Sequence, residues 1–131
     1  MTTNEFLRMT MNKEQLSNGT FVQTTRPWII CKDDFSVSVQ AGCSLYSDPR
    51  IDFLDTYEKV ELGFPNMEDE LITDYAEDPD NLTDTVYGYV PVEIVDKLIE
   101  KHGGIIGRTF TREDFFISIQ EIYDKIKYFR H

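Results

Sequence analysis

Residues 28–41, WIICKDDFSVSVQA, carry the clearest local pattern in the chain. Two runs rich in β-branched and aromatic residues flank the pair Asp33–Asp34, and the second run alternates between apolar and polar residues. This pattern predicts a β-hairpin with a two-residue turn at Asp33–Asp34, in which Ile30 pairs with Val37. In that register Cys31 falls on the polar face. The other face collects six apolar side chains, from Trp28, Ile30, Phe35, Val37, Val39 and Ala41.

The chain on the N-terminal side of this hairpin carries weaker signals. Residues 1–10 are predicted to be frayed. A short helix is predicted from about Asn12 to Ser17, because the pair Asn18–Gly19 that follows is a helix stop signal.

On the C-terminal side, two further strands are predicted at Tyr57–Phe64 and Thr85–Val90. Between them, Met67–Ala76 is predicted to form a short helix. The inward side of that helix consists of Leu71, Ile72 and Tyr75. A longer helix is predicted to begin at Pro91 and to end at Gly103–Gly104, since proline suits the first helical position and glycine follows helix ends. The apolar stripe of the longer helix consists of Val95, Leu98 and Ile99.

A last helix is predicted after Thr111, whose hydroxyl suits the N-cap position. Apolar residues recur along it at helical spacing: Phe115, Ile119, Ile122 and Ile126. Strands followed by two helices predict an α+β fold, an antiparallel β-sheet of about four strands with two C-terminal helices packed on one face. The length fits a single domain, residues 1–131.

The composition favours a folded interior and a cytoplasmic location. Hydrophobic residues make up 40% of the chain and aromatic residues 13%, which argues against overall disorder. No apolar run approaches the roughly 20 residues that span a bilayer, and the first residues lack the basic start and apolar stretch of a signal peptide. The chain contains only two cysteines, Cys31 and Cys43, and both are expected to be free, buried thiols.

The net charge of −11 is concentrated in one part of the chain. Between Asp52 and Asp84, twelve acidic residues stand against a single base, Lys59, whereas residues 1–51 and 85–131 each balance to zero. This charge works against direct binding to nucleic acid or to an anionic membrane, because both need lysine and arginine. It favours a basic protein as the partner.

The concentration of acids has two interpretations. It is either a solvated face that keeps the protein soluble, or a surface that imitates the phosphate backbone and enters a basic groove. In the second interpretation the partner-binding residues are Glu68, Asp69, Glu70, Asp74, Glu77, Asp78, Asp80 and Asp84. Three of them, Glu70, Asp74 and Glu77, have the spacing that would align them along one stripe of the predicted helix 67–76.

Signals for catalysis or for a metal are weak. His102 ends a predicted helix, where a favourable interaction with the helix dipole explains it better than catalysis. Cys43 and His102 are the residue types of a nucleophilic pair, a remote third interpretation, but nothing adjacent in sequence activates either. Three nearby aspartates, at positions 78, 80 and 84, lack the spacing and the glycine of an EF-hand loop. The prediction is therefore a protein that is not an enzyme and has no cofactor or metal.

Two tyrosines alternate with valines along the predicted strand Thr85–Val90. The period of a strand predicts that Tyr87 and Tyr89 share one face. On a basic protein such a pair could stack nucleobases. On this acidic chain the prediction is packing in the core or a contact at the sheet edge.

Three stretches resemble small, acidic, uncharacterised proteins encoded by bacterial phages, prophages and mobile elements. They are residues 35–41 (FSVSVQA), residues 60–65 (VELGFP) and residues 85–104 (TVYGYVPVEIVDKLIEKHGG). Residues 42–50, GCSLYSDPR, depart from the histidine-, tyrosine- and cysteine-containing segment that is more usual there, which weakens the case for a metal in this loop. The resemblance implies no catalytic residues. It implies a mobile-element setting, in which small acidic inhibitors of host nucleases recur, including anti-CRISPR and anti-restriction proteins.

The expected function is therefore inhibition of a host nucleic-acid-binding defence protein by an acidic surface that mimics nucleic acid. The partner would be a basic host protein, with no direct contact to nucleic acid or membrane. The alternative is a non-enzymatic phage accessory protein that contacts its partner through a sheet edge or an apolar surface.

Overall fold

A computed structural model describes residues 1–109 of the chain. In chain order the elements are α1 (Thr3–Met9), β1 (Lys13–Gln15), β2 (Phe21–Gln23), β3 (Trp28–Cys31), β4 (Ser36–Gln40), β5 (Lys59–Gly63), a 3₁₀ turn (Thr73–Tyr75), β6 (Val86–Pro91), α2 (Val92–Lys101) and β7 (Ile105–Thr109). Five strands form an antiparallel sheet in the order β6, β5, β4, β3, β7, and β1 pairs with β2 in a separate hairpin.

The predicted α+β class and the antiparallel sheet are confirmed, with five strands in place of about four. The additional strand is β7, which follows α2 and pairs with β3 at one edge of the sheet. Gly103 and Gly104 have φ angles of +92° and +89°, which end α2 and let the chain turn back at once. The helix predicted after Thr111 lies outside the described residues.

The β3–β4 hairpin forms where it was predicted, but its predicted register is wrong by one residue. Val37 pairs with Ile29 and not with Ile30, its predicted partner. The turn has three residues instead of two, because the Cys31 amide donates to the Phe35 carbonyl at 2.8 Å. The last turn residue, Asp34, has φ = +76°. A three-residue turn ending in a left-handed residue is the commonest hairpin connection after the two-residue turns.

The observed register changes which side chains of β3 face the core. Ile29 and Cys31 belong to the core, whereas Ile30 lies on the opposite face of the sheet. Burial, together with the nearby charge of Asp33, raises the pKa of the Cys31 thiol to about 12. Both cysteines are free, as predicted, but Cys43 is exposed, so its predicted burial is wrong.

The N-terminal residues pack against the core, so the predicted fraying of residues 1–10 is wrong. Helix α1 buries Phe6 and Leu7, whose apolar surface stabilises the helix against the sheet. The buried Arg26 side chain ties the end of α1 to the end of β4, because it donates to the carbonyls of Leu7 and Ala41 at 3.2 and 2.9 Å.

The helix predicted at Asn12–Ser17 is also wrong, since this stretch contains β1. The amide of Leu16 donates to the Thr20 carbonyl at 2.8 Å, and Gly19 has φ = +86°. The pair Asn18–Gly19 therefore makes a hairpin turn between β1 and β2 rather than ending a helix.

Helices α1 and α2 pack on the same face of the five-stranded sheet. Thr3 joins them, because its amide and its hydroxyl donate to the Asp96 carboxylate of α2 at 2.7 and 2.6 Å. The predicted apolar stripe of α2 is confirmed, and Val95, Leu98 and Ile99 are buried. No helix within residues 1–109 is long and apolar enough to cross a membrane.

Residues 64–85 connect β5 to β6 and are hereafter the acidic segment. The segment contains all eight predicted partner-binding acids and no lysine or arginine. The helix predicted at Met67–Ala76 is wrong, because only the single 3₁₀ turn Thr73–Tyr75 forms. The predicted inward side is confirmed. Ile72 is buried, and Leu71 and Tyr75 are partly buried against the core.

Asp69 forms a local turn within the stretch where the helix was predicted. Its carboxylate accepts the Leu71 amide at 2.9 Å, and its carbonyl accepts the Ile72 amide at 3.2 Å. A short acidic side chain that bonds to the local backbone competes with helical hydrogen bonds. Repulsion among acids three and four residues apart acts in the same direction.

Candidate functional site

The acidic segment is held to the sheet at its start. The Phe64 amide donates to the Thr85 carbonyl at 3.0 Å, which closes the segment where β5 and β6 are neighbours. The Asn66 side chain donates to the Asp34 carbonyl at 2.7 Å and accepts the Ser36 amide at 2.9 Å. These bonds tie the beginning of the segment to the β3–β4 turn.

The rest of the segment is held by one apolar anchor and by strand-like pairing. The Ile72 side chain is fully buried in the core. Further along, Ala76 forms a β-bridge with Tyr87, and the Glu77 amide donates to the Val86 carbonyl at 2.9 Å. The acidic segment therefore covers part of the outer edge of β6, with its backbone fixed at several points.

Asp69 differs from the other seven acids because it is only 6% exposed. Its carboxylate oxygens lie 2.7 Å from His102 Nε2 and 3.2 Å from Lys101 Nζ, and it accepts the Leu71 amide. Burial opposes ionisation of this carboxyl, but the donors outweigh burial, so the pKa of Asp69 lies below its ordinary value. The structure thus places Asp69 in the interior as an anchoring anion, away from the exposed surface.

The other seven predicted residues are all exposed: Glu68, Glu70, Asp74, Glu77, Asp78, Asp80 and Asp84. The stripe predicted for three of them is absent because the helix that would align them does not form. The acids are instead spread along an irregular backbone. That backbone is fixed at Asn66, Ile72 and Glu77.

Few cations in the described part of the chain neutralise this surface. Lys101 Nζ lies 3.2 Å from Asp69 and 4.0 Å from Glu70. Within residues 1–109, no ion pair involves the five exposed acids from position 74 to position 84. Among the described residues, most of the charge of the acidic segment therefore has no paired cation.

The three aspartates at the end of the segment do not gather around a metal site. One of them, Asp78, uses both carboxylate oxygens locally, accepting the Asp80 amide at 3.1 Å and the Asn81 side chain at 2.8 Å. Over the described part of the chain, no group of three histidine, cysteine or acidic residues could hold a metal ion.

A second surface feature comes from a bulge in β6. The pairing of β5 with β6 shifts between Val60 and Leu62, so that Gly88 and Tyr89 face the single β5 residue Glu61. Tyr89 has φ = +54°, a conformation that aromatic residues rarely adopt. A bulge can re-aim a side chain in this way, and Tyr89 is 42% exposed.

The bulge overturns the prediction that Tyr87 and Tyr89 share one face. Tyr87 is fully buried and donates its hydroxyl to the Leu82 carbonyl. The additional residue in β6 breaks the two-residue period between the tyrosines. Core packing, one of the two predicted roles, is therefore confirmed for Tyr87, whereas Tyr89 lies exposed on the edge strand β6.

Tyr89 packs against the loop that follows β4. Its ring lies 5.9 Å from that of Tyr46, which is also 42% exposed, and its amide donates to the Tyr46 carbonyl at 2.9 Å. The Arg50 guanidinium lies 5.6 Å from the Tyr46 ring centre. A Cβ on Gly88 would lie 3.3 Å from the Tyr46 Cβ, so glycine permits this close approach. Tyr46, Arg50 and Tyr89 are hereafter the tyrosine patch.

His102 and Cys43 are both engaged in ways that disfavour nucleophilic catalysis. His102 follows the last residue of α2, as predicted, but both of its ring nitrogens contact carboxylates, those of Asp33 and Asp69. The Cys43 thiol lies 3.4 Å from an Asp52 oxygen. This hydrogen bond and the charge of Asp52 raise the pKa of the thiol, whereas a nucleophilic cysteine needs a lowered pKa.

A cleft of about 330 Å³ opens on the sheet face opposite the core. Its walls include the stacked rings of Trp28 and Phe64, whose centres are 6.4 Å apart. Polar groups in the cleft bond to the protein itself. Gln40 accepts the Arg26 amide at 2.9 Å and donates to the Arg26 carbonyl at 2.8 Å, and Asp52 accepts the Cys43 amide at 2.9 Å. The cleft therefore offers few unbonded groups to a ligand.

The sequence analysis missed two features of these surfaces. Gly88, isolated between two tyrosines of a strand, is a recognised signal for a bulge and could have predicted the tyrosine patch. His102 contacts Asp33 and Asp69, which are 69 and 33 positions away in the sequence, and no local sequence pattern predicts these contacts. The chain matches no protein-family model, no curated protein and no solved structure.

Proposed function

We propose that this protein inhibits a host nucleic-acid-binding defence protein by presenting the acidic segment to its basic groove. The observation that carries the proposal is an anchored backbone bearing seven exposed acids and no lysine or arginine. The partner is a basic nuclease or effector in the bacterial cytoplasm, and the phage or mobile-element setting comes from the resemblance of the three stretches quoted above.

The physical basis is electrostatic competition. Duplex DNA carries about one negative charge per 1.7 Å of its axis, and its binders present matching basic channels. Carboxylates gain from the same long-range attraction and steer the encounter. Anchoring at Asn66, Ile72 and Glu77 reduces the conformational entropy that ordering the segment would cost on binding.

The geometry also supports a non-enzymatic mode of action. Both nitrogens of His102 contact carboxylates, and the hydrogen bond to Asp52 raises the pKa of the Cys43 thiol. Inhibition by occupying a groove requires no chemistry from either residue.

A charge-reversal variant tests the proposal. Glu70, Asp74, Glu77 and Asp80 are exposed, and changing all four to lysine leaves the buried Asp69 and the bonding carboxylate of Asp78 in place. We expect this variant to lose the partner that the wild-type chain captures from a bacterial lysate, and we expect wild-type binding to weaken steeply with salt and to be displaced by free duplex DNA.

The matched control reverses four exposed acids outside the acidic segment, Glu14, Asp55, Glu93 and Glu100. Both variants change the net charge by the same amount, so the comparison isolates where the charge lies. Undiminished capture by the acidic-segment variant, or equal loss with the control, would reject mimicry as the mode of binding.

The tyrosine patch favours a second candidate function, that of an accessory protein with a packing interface. Exposed tyrosine beside arginine is a composition enriched at protein interfaces. Tyr89 holds a rare backbone conformation that turns its ring to solvent. Changing Tyr46 and Tyr89 to serine should then abolish partner binding, and the wild-type affinity should change little between 50 and ~500 mM salt, unlike an interaction dominated by released counterions.

A further inference from the structure

The cleft on the sheet face opposite the core combines acidic side chains with aromatic rings. Its two carboxylates come from Glu61 in β5 and from Asp52 in the loop between β4 and β5. Both residues are half-buried, so water screens their charges less than it screens the exposed acids of the acidic segment. Across the described chain, neither carboxylate takes part in an ion pair, and no lysine or arginine lines the cleft.

Asp52 is held at the wall of the cleft by the backbone beside it. One of its carboxylate oxygens accepts the Cys43 amide at 2.9 Å. A Cβ on Gly42 would lie 2.5 Å from that oxygen, so glycine is what admits the carboxylate this close to the backbone. The buried Arg26 guanidinium acts electrostatically on Asp52, but its hydrogen bonds go to two backbone carbonyls. One guanidinium does not balance two carboxylates, so the cleft keeps a net negative charge.

The aromatic wall of the cleft consists of Trp28 and Phe64. Their ring centres are 6.4 Å apart and their planes are within 17° of parallel, so the two rings form one aromatic surface. Phe64 lies two positions after the core residue Leu62, and the period of a strand would place it on the core face. Its φ of +50°, which aromatic residues rarely adopt, interrupts that period, and its ring lines the cleft instead. Backbone conformations of this kind cluster at functional sites.

The hydrogen bonding of the cleft selects the kind of cation that fits. Gln40 and Asp52 use their polar atoms in bonds to the protein, and Glu61 Oε1 accepts the Tyr46 amide at 3.2 Å. An ammonium or guanidinium group would need acceptors for several N–H donors. A quaternary ammonium group has no N–H, and it is attracted by negative charge and by aromatic rings alone. The volume of about 330 Å³ lies at the lower end of the range for ligand sites, which suits a small head group.

We propose that this cleft binds a quaternary ammonium cation, with its methyl groups against Trp28 and Phe64 and its charge near Asp52 and Glu61. Such a cation occurs as the head of a small choline-like molecule and as a trimethylated lysine on a protein. The site goes beyond the proposed function, because neither of its carboxylates belongs to the acidic segment and its ligand is not a basic groove.

Titration of the wild-type protein with choline tests the proposal, and 3,3-dimethylbutan-1-ol, the uncharged carbon isostere of choline, is the matched ligand. Trp28 is the single tryptophan, so its fluorescence reports on the wall of the cleft. At constant ionic strength we expect a saturable change with choline and about tenfold weaker binding of the isostere. Equal affinities for the two compounds would overturn the proposal. So would the lack of a saturable change at ~50 mM choline, far above the ~1 mM of a weak complex.

Glu61→Gln tests the contribution of the carboxylate. Glutamine keeps an acceptor for the Tyr46 amide but loses the charge, so we expect choline to bind about tenfold more weakly and the isostere to bind as before. Glu93→Gln is the matched control, because it removes the same charge from the exposed surface of α2, which packs on the other face of the sheet. Equal losses in the two variants, or no loss in Glu61→Gln, would refute the site.

A peptide that carries trimethyl-lysine distinguishes the two sources of the cation. Tighter binding of this peptide than of choline and of the unmethylated peptide would assign the site to a modified protein. Binding no tighter than that of choline would assign it to a small molecule. None of these measurements uses the partner of the acidic segment, so failure here is distinct from failure of the proposed function.

Discussion

Replacing Asp69 by alanine is the sharpest test of how the acidic segment is attached. Without the Asp69 carboxylate, the Leu71 amide and the His102 ring lose their acceptor, and each buried polar group left without a partner costs about 1–3 kcal/mol. Lys101, whose side chain is 44% exposed, accounts for less than about 1 kcal/mol of the interaction because water screens it. We expect Asp69→Ala to lower the free energy of unfolding by about 4 kcal/mol. At about 4 °C per kcal/mol for a domain of this size, Tm should fall by roughly 15 °C.

Urea unfolding followed by the fluorescence of Trp28, the single tryptophan, measures this loss. The control is Glu70→Ala, since that side chain is 89% exposed and lies 4.0 Å from the same lysine. The control should change stability by less than about 0.5 kcal/mol. Equal effects of the two substitutions would refute the buried, anchoring role of Asp69.

The loss of stability in Asp69→Ala relative to the wild type should depend on pH. Because the pKa of Asp69 is lowered in the folded state, its stabilising contribution is present above the ordinary pKa of a carboxyl group. It is lost as the pH falls through the lowered value. The difference in unfolding free energy between the wild type and Asp69→Ala should therefore shrink in strongly acidic solution, and a difference that grows there would contradict the assignment.

Three further predictions address the rest of the fold. Phe6→Ala should cost about 3 kcal/mol in chemical unfolding, because α1 belongs to the core; a loss below about 0.5 kcal/mol would mean that the N-terminus is not packed. Gly88→Ala should cost about 1–2 kcal/mol, since the new Cβ would lie 3.3 Å from Tyr46, and near-UV circular dichroism should report the displaced ring; an unchanged spectrum and stability would count against the close contact. At pH 8, iodoacetamide should label Cys43 and spare Cys31, whose pKa is about 12; mass spectrometry that finds two labels on the folded protein would disprove the burial of Cys31.

The elements that could be predicted are those whose signals are local. The alternation in β4, the apolar stripe of α2 and the glycines that end it all act within a few residues, and each lies where it was expected. The register of β3 depended on whether the turn holds two or three residues. Both lengths suit Asp33 and Asp34, so the core face of β3 was assigned wrongly.

The acidic segment shows why the site was harder to predict than the fold. Its charge and the inward position of Ile72 could be predicted from the sequence. The role of Asp69 is not, because an aspartate in a run of acids is indistinguishable from its neighbours until His102 and Lys101 are brought beside it. Seven of the eight predicted residues are exposed, and the eighth instead anchors the segment.

Composition and local periodicity alone determine the class of fold, the concentration of negative charge and the lack of any base to balance it in residues 64–85. Only the tertiary structure decides which acid is buried, where the segment is attached and which tyrosine faces the solvent. The physical reason is that burial and hydrogen bonding depend on contacts between residues tens of positions apart, and a one-residue bulge or turn reverses the direction of every side chain that follows it.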